Sequence, residues 1–366
     1  MLRLTLATLA ALPVASLVAA QGRVDAWQPQ TVPLVGASYS PDVGLLVGAG
    51  VLHTRFGFRA LPPSTRLMAE AAYATSARAF RLDVAGEFRR PLAPSLLTVQ
   101  LRASGLELIS FYGVGNTTAR SQPDSVYRVR QTLGRAAPSI TVPLTPRLRL
   151  TAGPLVQHSH LPSDAGTLLT TTGPYYGAGD FGQVGARAVI ELEARDLPFA
   201  PAAGAHLSVG TAWYPAVWDV TRSFGSVWAE ASTYVSAGDP AAATLALRVA
   251  GAAVSGTVPL QELVYVGGAT TVRGYDEQRF AGRRGAYGNV ELRLKAGWLP
   301  FGDVGLLGLT DAGRVWVPGE SSDRWHAAAG GGVWLAWQHR RTNVISITAA
   351  RSPERTAIYV RAGFLF

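Results

Sequence analysis

The sequence contains no cysteine, which removes disulfides, thiolate nucleophiles and cysteine-held metals at once. Lysine is nearly missing too: of 33 basic residues, Lys295 alone is a lysine and the rest are arginine. That skew is compositional and carries no function. Beyond the N-terminus, no run approaches the roughly 18 uninterrupted apolar residues that a membrane-spanning helix needs. The usual signatures of catalysis are absent as well, since no Gly-x-Ser-x-Gly elbow, His-Glu-x-x-His or phosphate loop occurs. Gly177 to Gly182 fits Gly-x-Gly-x-x-Gly, but it leads into an alternating strand pattern rather than a helix, so dinucleotide binding is not expected. His158 and His160 share one face of a strand end, yet two ligands are too few for zinc. No cofactor, no metal and no enzymatic chemistry are expected. The formal charge is +9, but the basic residues are spread along the chain rather than clustered on one surface. Nucleic acid is therefore not an expected partner.

What is present points to a membrane sheet. Residues 1–20 read as a secretory signal, with Arg3, a mostly apolar run from Leu4 to Ala19, and Val18-Ala19-Ala20 as a small-residue cleavage site. An N-terminal anchor helix is the alternative, which Pro13 and the shortness of the run oppose. The chain is 48% hydrophobic with 40 glycines and 9 tryptophans, which leaves a soluble sheet protein or a membrane barrel. Period-two alternation decides between them. In Asn289 to Trp298, Val290, Leu292, Leu294, Ala296 and Trp298 share one face, and Asn289, Glu291, Arg293, Lys295 and Gly297 the other. The same split recurs at Arg147–Ala152, at residues 183–193 and at Thr244–Val249. A strand between water and grease requires this division.

A soluble sandwich also alternates, but these segments run about 10 to 16 residues, enough for the roughly 9–11 that cross hydrocarbon on a tilt. Trp213, Tyr214, Trp218, Trp228, Trp298, Trp316, Trp334 and Trp337 gather near segment ends, as interfacial girdles do. Fifteen segments can be counted, from 43–58 to 356–366. Single-chain barrels normally hold an even number and an open edge in lipid is costly, so about sixteen strands are expected. The predicted fold is an all-β transmembrane antiparallel barrel over 42–366, behind a short periplasmic lead at 21–41. In the last segment Ile358, Val360, Ala362, Phe364 and Phe366 fall on one face, predicted to be the lipid face. Arg128, Arg130, Arg149, Arg187, Arg248 and Arg293, if inward, would either favour anions in the lumen or sit in a wall of ion pairs.

Three stretches in order carry a resemblance: Val272-Arg273-Gly274-Tyr275, then Gly288-Asn289-Val290-Glu291-Leu292-Arg293, then Leu309-Thr310-Asp311-Ala312-Gly313-Arg314-Val315-Trp316. They look like the Val-Arg-Gly-Phe/Tyr, Gly-x-x-Glu-x-Arg and Phe-x-Asp-x-Gly-x-Val-Trp motifs of the BamA/TamA-type bacterial surface antigen family, with Leu309 replacing the Phe. Phe111-Tyr112-Gly113-Val114-Gly115-Asn116 resembles a further Tyr-Gly-x-Gly-Asn element. The resemblance implies a sixteen-strand barrel in the bacterial outer membrane whose long loop, before the fifth-last strand, folds into the lumen. Arg273 would meet Glu291 and Asp311 on the inner wall. Gly313, lacking a side chain, would leave room for the loop. Gly274 would permit a tight bend and Tyr275 would pack beside it. Phe364 and Phe366 would form a C-terminal strand signal.

The function so implied is non-enzymatic assembly, insertion or translocation of proteins or lipids at the outer membrane. The expected partners are outer-membrane lipids, client outer-membrane proteins and a separate periplasmic protein standing in for the family's POTRA domains, which the lead segment is too short to encode. A passive pore, or a membrane anchor for a periplasmic enzyme, are the rival readings.

Overall fold

The computed structural model describes residues 28–366 apart from 41–43, 58–59, 76–77, 90–93, 163–165 and 239–240. The signal expected over Met1 to Ala20 lies outside the described residues. Within them, seventeen strand segments form one sheet. Two segments, Arg128–Ala136 and Ser139–Pro143, are successive pieces of a single strand, because both run between Leu96–Ser110 and Leu148–Leu161. The break falls at Pro138, which has no N–H to give the ladder. Sixteen strands therefore cross the sheet among the described residues.

In chain order they are β1 (Gln30–Ser40), β2 (Gly44–Gly57), β3 (Ala60–Ala74), β4 (Ala79–Arg89), β5 (Leu96–Ser110) and β6 (Arg128–Ala136 with Ser139–Pro143). Next come β7 (Leu148–Leu161), β8 (Gly179–Glu193), β9 (Gly204–Tyr214), β10 (Phe224–Ala237) and β11 (Ala243–Gly256). After a long connection follow β12 (Arg284–Leu299), β13 (Gly302–Trp316), β14 (His326–Trp337), β15 (Val344–Arg351) and β16 (Thr356–Ala362). Each strand pairs antiparallel with the next. β1 and β16 lie side by side, without a paired register among the described residues. No described helix is long and apolar enough to cross a membrane.

One boundary differs from the expectation. The stretch read as a lead contains β1, whose Pro33 sits opposite Val51 of β2. Proline in a run argues against a central strand, yet β1 ladders on one side only, where a missing N–H is tolerable.

Alternation sorts the side chains as the chemistry demands. On β12, Val290, Leu292 and Leu294 face outward, while Asn289, Glu291 and Arg293 are buried on the inner face. The three longest connections, between β5 and β6, β7 and β8, and β11 and β12, all lie at one end of the sheet, as the long loops of outer-membrane barrels do. Outward aromatics mark both ends: Trp298, Phe301 and Trp337 by the turns, and Trp213, Trp218, Trp316 and Trp325 by the loops. Tyr214, Trp228 and Trp334, expected in these girdles, instead point inward. Tyr214 and Trp228 join an apolar cluster with Leu155, Phe181 and Phe224, while Trp334 packs near Phe364.

Placing an arginine on the lipid face should therefore be expensive. Leu292→Arg is expected to cost about 2–4 kcal/mol of folding stability in bilayers, the cost of a basic side chain near the midplane. Equilibrium folding into vesicles measures it. An unaffected variant would contradict the assigned face.

Candidate functional site: a loop bound in the lumen

The 27-residue connection between β11 and β12, residues 257–283, turns back into the barrel. A two-stranded hairpin, Val264–Val266 with Phe280–Gly282, forms its stem, and residues 267–279 form its tip. Val266, Val272, Tyr275 and Phe280 pack with Val315 and Ala328 of the wall.

Arg273 is 1% exposed. Its Nε and Nη2 donate to the two carboxylate oxygens of Asp311 at 2.7 and 2.8 Å, and its backbone N–H adds a third bond at 3.0 Å. Its Nη1 donates to Glu291 at 2.6 Å. A planar guanidinium can satisfy two carboxylates in this way; an ammonium cannot. The strands supply both acids in register, since Asp311 of β13 lies opposite Asn289 of β12, two residues from Glu291. Asn289 then bridges, donating to Asp311 at 2.8 Å and to the Thr271 carbonyl at 2.7 Å. Glu291 also accepts from Arg293 at 2.8 Å.

Val272 fills the space above Gly313, where an added Cβ would come within 2.7 Å of its Cγ2. Gly274 adopts a φ of 84° and runs against the β15–β16 turn. Its N–H donates to the Tyr359 hydroxyl at 2.9 Å, and its carbonyl accepts from Ser352 at 2.7 Å. A side chain there would meet the Ser352 nitrogen at 3.0 Å. Tyr275 packs edge-on to Phe280 and His326.

Several partners were not singled out in the sequence. Asp276 is bound by Arg120, at 2.5 Å, and by Arg355. Burial opposes its ionisation, but these two cations outweigh burial and hold the carboxyl below its ordinary range. Arg279 donates to Glu354 and to Thr118. Arg361 of β16 donates to the Ala269 carbonyl. The Tyr-Gly-x-Gly-Asn stretch lies over the stem: Gly115 donates to Ala281, and Asn116 joins Val315, His326 and the Glu320 carboxylate. The signal for Tyr359 and Arg361 was available, as they alternate with Ile358 and Val360. Nothing local names their partners.

Phe364 and Phe366 do not continue the lipid face. β16 ends at Ala362, and Gly363 takes a φ of 79°, which only glycine adopts freely. The turn carries both rings inward, Phe364 lying 4.0 Å from the Arg293 guanidinium and Phe366 5.7 Å from it. Among the wall arginines, Arg149 pairs with Glu191, Arg248 with Glu230 and Arg293 with Glu291. Arg128 meets Asp124 at the loop end, and Arg130 is exposed. His158 stacks on Trp218, and His160 meets Asp180. Glu191, Glu193 and His206 converge within 4.8 Å, but Arg149 and Arg195 already bind the two carboxylates.

An antiparallel barrel with sixteen strands among the described residues and an arginine-anchored loop in its lumen defines the class: a transmembrane β-barrel. The Omp85 superfamily domain matches residues 71–341, and the chain belongs to that superfamily and to the bacterial outer membrane. By structure it is similar to BamA from Haemophilus ducreyi lacking POTRA domains 1–3, with a TM-score of 0.67 and 14% identity over 92% of this chain and 71% of that one. CdiB from Escherichia coli gives a TM-score of 0.58 at 14% identity, over 92% of this chain and 62% of its own. By sequence, the outer membrane transporter CdiB of Dickeya dadantii strain 3937 is 31% identical over 113 residues, which is 29% of this chain and 20% of the relative. The chain thus matches about a fifth of that curated relative's length.

Arg273→Ala leaves two buried carboxylates without their shared cation. It is expected to lower stability by up to about 3–5 kcal/mol, less where lumen water screens the acids. Heat-modifiable gel mobility and yield of the exported barrel measure this, and wild-type values for both would refute it. A pH effect follows from Asp276. Its pKa is depressed on folding, so its contribution is full above the ordinary carboxyl value of about 4 and fades as pH falls through the lower folded value. Acid unfolding should therefore flatten in Asp276→Asn, and an identical acid limb in the variant would exclude the contribution.

Proposed function

We propose that this barrel assists the insertion or translocation of proteins, or of lipids, across the outer membrane without catalysing a reaction. Val272, Arg273, Gly274 and Tyr275 form the anchor of its lumenal loop, and Glu291, Asp311 and Gly313 the receiving wall. The observation that carries the reading is that one loop grips two separate parts of the sheet. Through Arg273 it holds β12 and β13. Through Gly274 and Ala269 it holds the turn before β16 and β16 itself.

That second grip matters because β16 borders the β1 seam, the one junction where neighbouring strands share no ladder among the described residues. An unpaired strand edge offers main-chain donors and acceptors to an incoming strand. A client outer-membrane protein, delivered by a periplasmic accessory protein, is the substrate this edge suits. The related BamA and CdiB support the assignment by family.

Because the chain has no cysteine, engineered pairs can join β1 to β16 without background reaction. Oxidation of such a pair is expected to abolish client insertion or secretion, and reduction to restore it. A locked barrel with full activity would eliminate the seam mechanism. Large, steady currents from the unmodified barrel in planar bilayers would favour the passive pore instead.

A further inference from the structure

The inner wall from β4 to β8 carries an imbalance away from the Arg273 anchor, although the loop reaches this wall through Glu262, which accepts from Gln157 and Gln183. Arg81 and Arg102 both bind Asp83, at 2.8 and 2.6 Å, and Arg81 also lies 3.8 Å from Glu70. Arg102 lies directly opposite Arg135 of β6. Two strands further, Arg187 of β8 lies opposite Gly153 of β7 and Ala212 of β9, on the same inner face. Arg135 and Arg187 are near enough for each charge to act on the other, and the Tyr214 hydroxyl is near both as well as near the buried Glu262 carboxylate. Among the described residues neither arginine has a carboxylate or any hydrogen-bond acceptor, whereas Arg149, Arg248, Arg273 and Arg293 each have an acid. The Nε of Arg187 is buried with no partner.

The surroundings sharpen the point. Ala137, Leu155, Val189 and Ala212 form an apolar patch beneath the two arginines, and Tyr214 belongs to the same cluster. Gly185 has no side chain, and the Tyr214 ring lies in that space, where an added Cβ would be 2.6 Å from it. Two like charges over an apolar floor repel each other and lack the solvation they would have in water. Such an arrangement persists at least cost when something negative lies between the charges.

We propose that Arg135, Arg187 and the Tyr214 hydroxyl form a lumenal site for a phosphate-type oxyanion. Two guanidinium forks and one hydroxyl supply donors for three oxygens, and two cations match a dianion better than a carboxylate. The group is either free in solution or the head of an anionic lipid. The site is separate from the Arg273 anchor, so it stands or falls independently of the assembly reading.

The test uses the full folded barrel in detergent. Its thermal midpoint is followed against inorganic phosphate, with chloride matching the ionic strength. The midpoint is expected to rise with phosphate, and Arg135→Gln and Arg187→Gln should each weaken the apparent affinity about tenfold or more. Without phosphate the same variants should melt no lower than the native barrel, since they remove a repulsion. Arg149→Gln, whose cation serves Glu191, should keep the native phosphate response. Broadening of the phosphorus resonance of inorganic phosphate provides a second readout that does not depend on melting. In nanodiscs, a response to phosphatidylglycerol but not to inorganic phosphate would assign the site to a headgroup, and the reverse to a free anion. No response of the native barrel to either, or an unchanged response in both glutamine variants, would overturn the proposal.

Discussion

A single guanidinium shared by two carboxylates organises this barrel. Arg273 arrives on a loop, while Asp311 and Glu291 arrive on neighbouring strands, and all three are at most 1% exposed. Removing three charges from water is costly, and the cost is offset only where geometry and further hydrogen bonds are good. Here they are: four bonds come from Arg273, one from Asn289 and two from Arg293. The arrangement contributes position more than net stability. A loop of apolar residues could settle in many ways against an inner wall, whereas a fork on two fixed acids has one fit.

Once that fit is made, its consequences spread along the chain. Val272 is pressed onto Gly313, the backbone at Gly274 is aimed at Tyr359 and Ser352, and the stem meets the loop that carries Asn116. β16, which has no ladder to β1 among the described residues, is held from within by this loop.

The fold was legible because lipid outside and water inside impose a two-residue period. The motif residues were legible through family resemblance, and the polar face of β12 placed Glu291 inward on alternation alone. Other features escaped for identifiable reasons. β1 was hidden by Pro33, which is tolerated there only because its strand ladders on one side. Tyr214, Trp228 and Trp334 read as girdle aromatics, since position near a strand end says nothing of the face when glycine neighbours make room inside. Phe364 and Phe366 followed the alternation on paper, but one left-handed glycine turned them onto Arg293.

What the sequence by itself determined is the alternation, and with it a closed sheet with grease outside and charge within. It also placed the arginine of one loop and the acids of two strands. Only the tertiary structure decided which charges meet, because pairing across strands depends on register and on how a loop re-enters, and neither is encoded within a few residues. Arg149, Arg248 and Arg293 found acids, while Arg135 and Arg187 found each other.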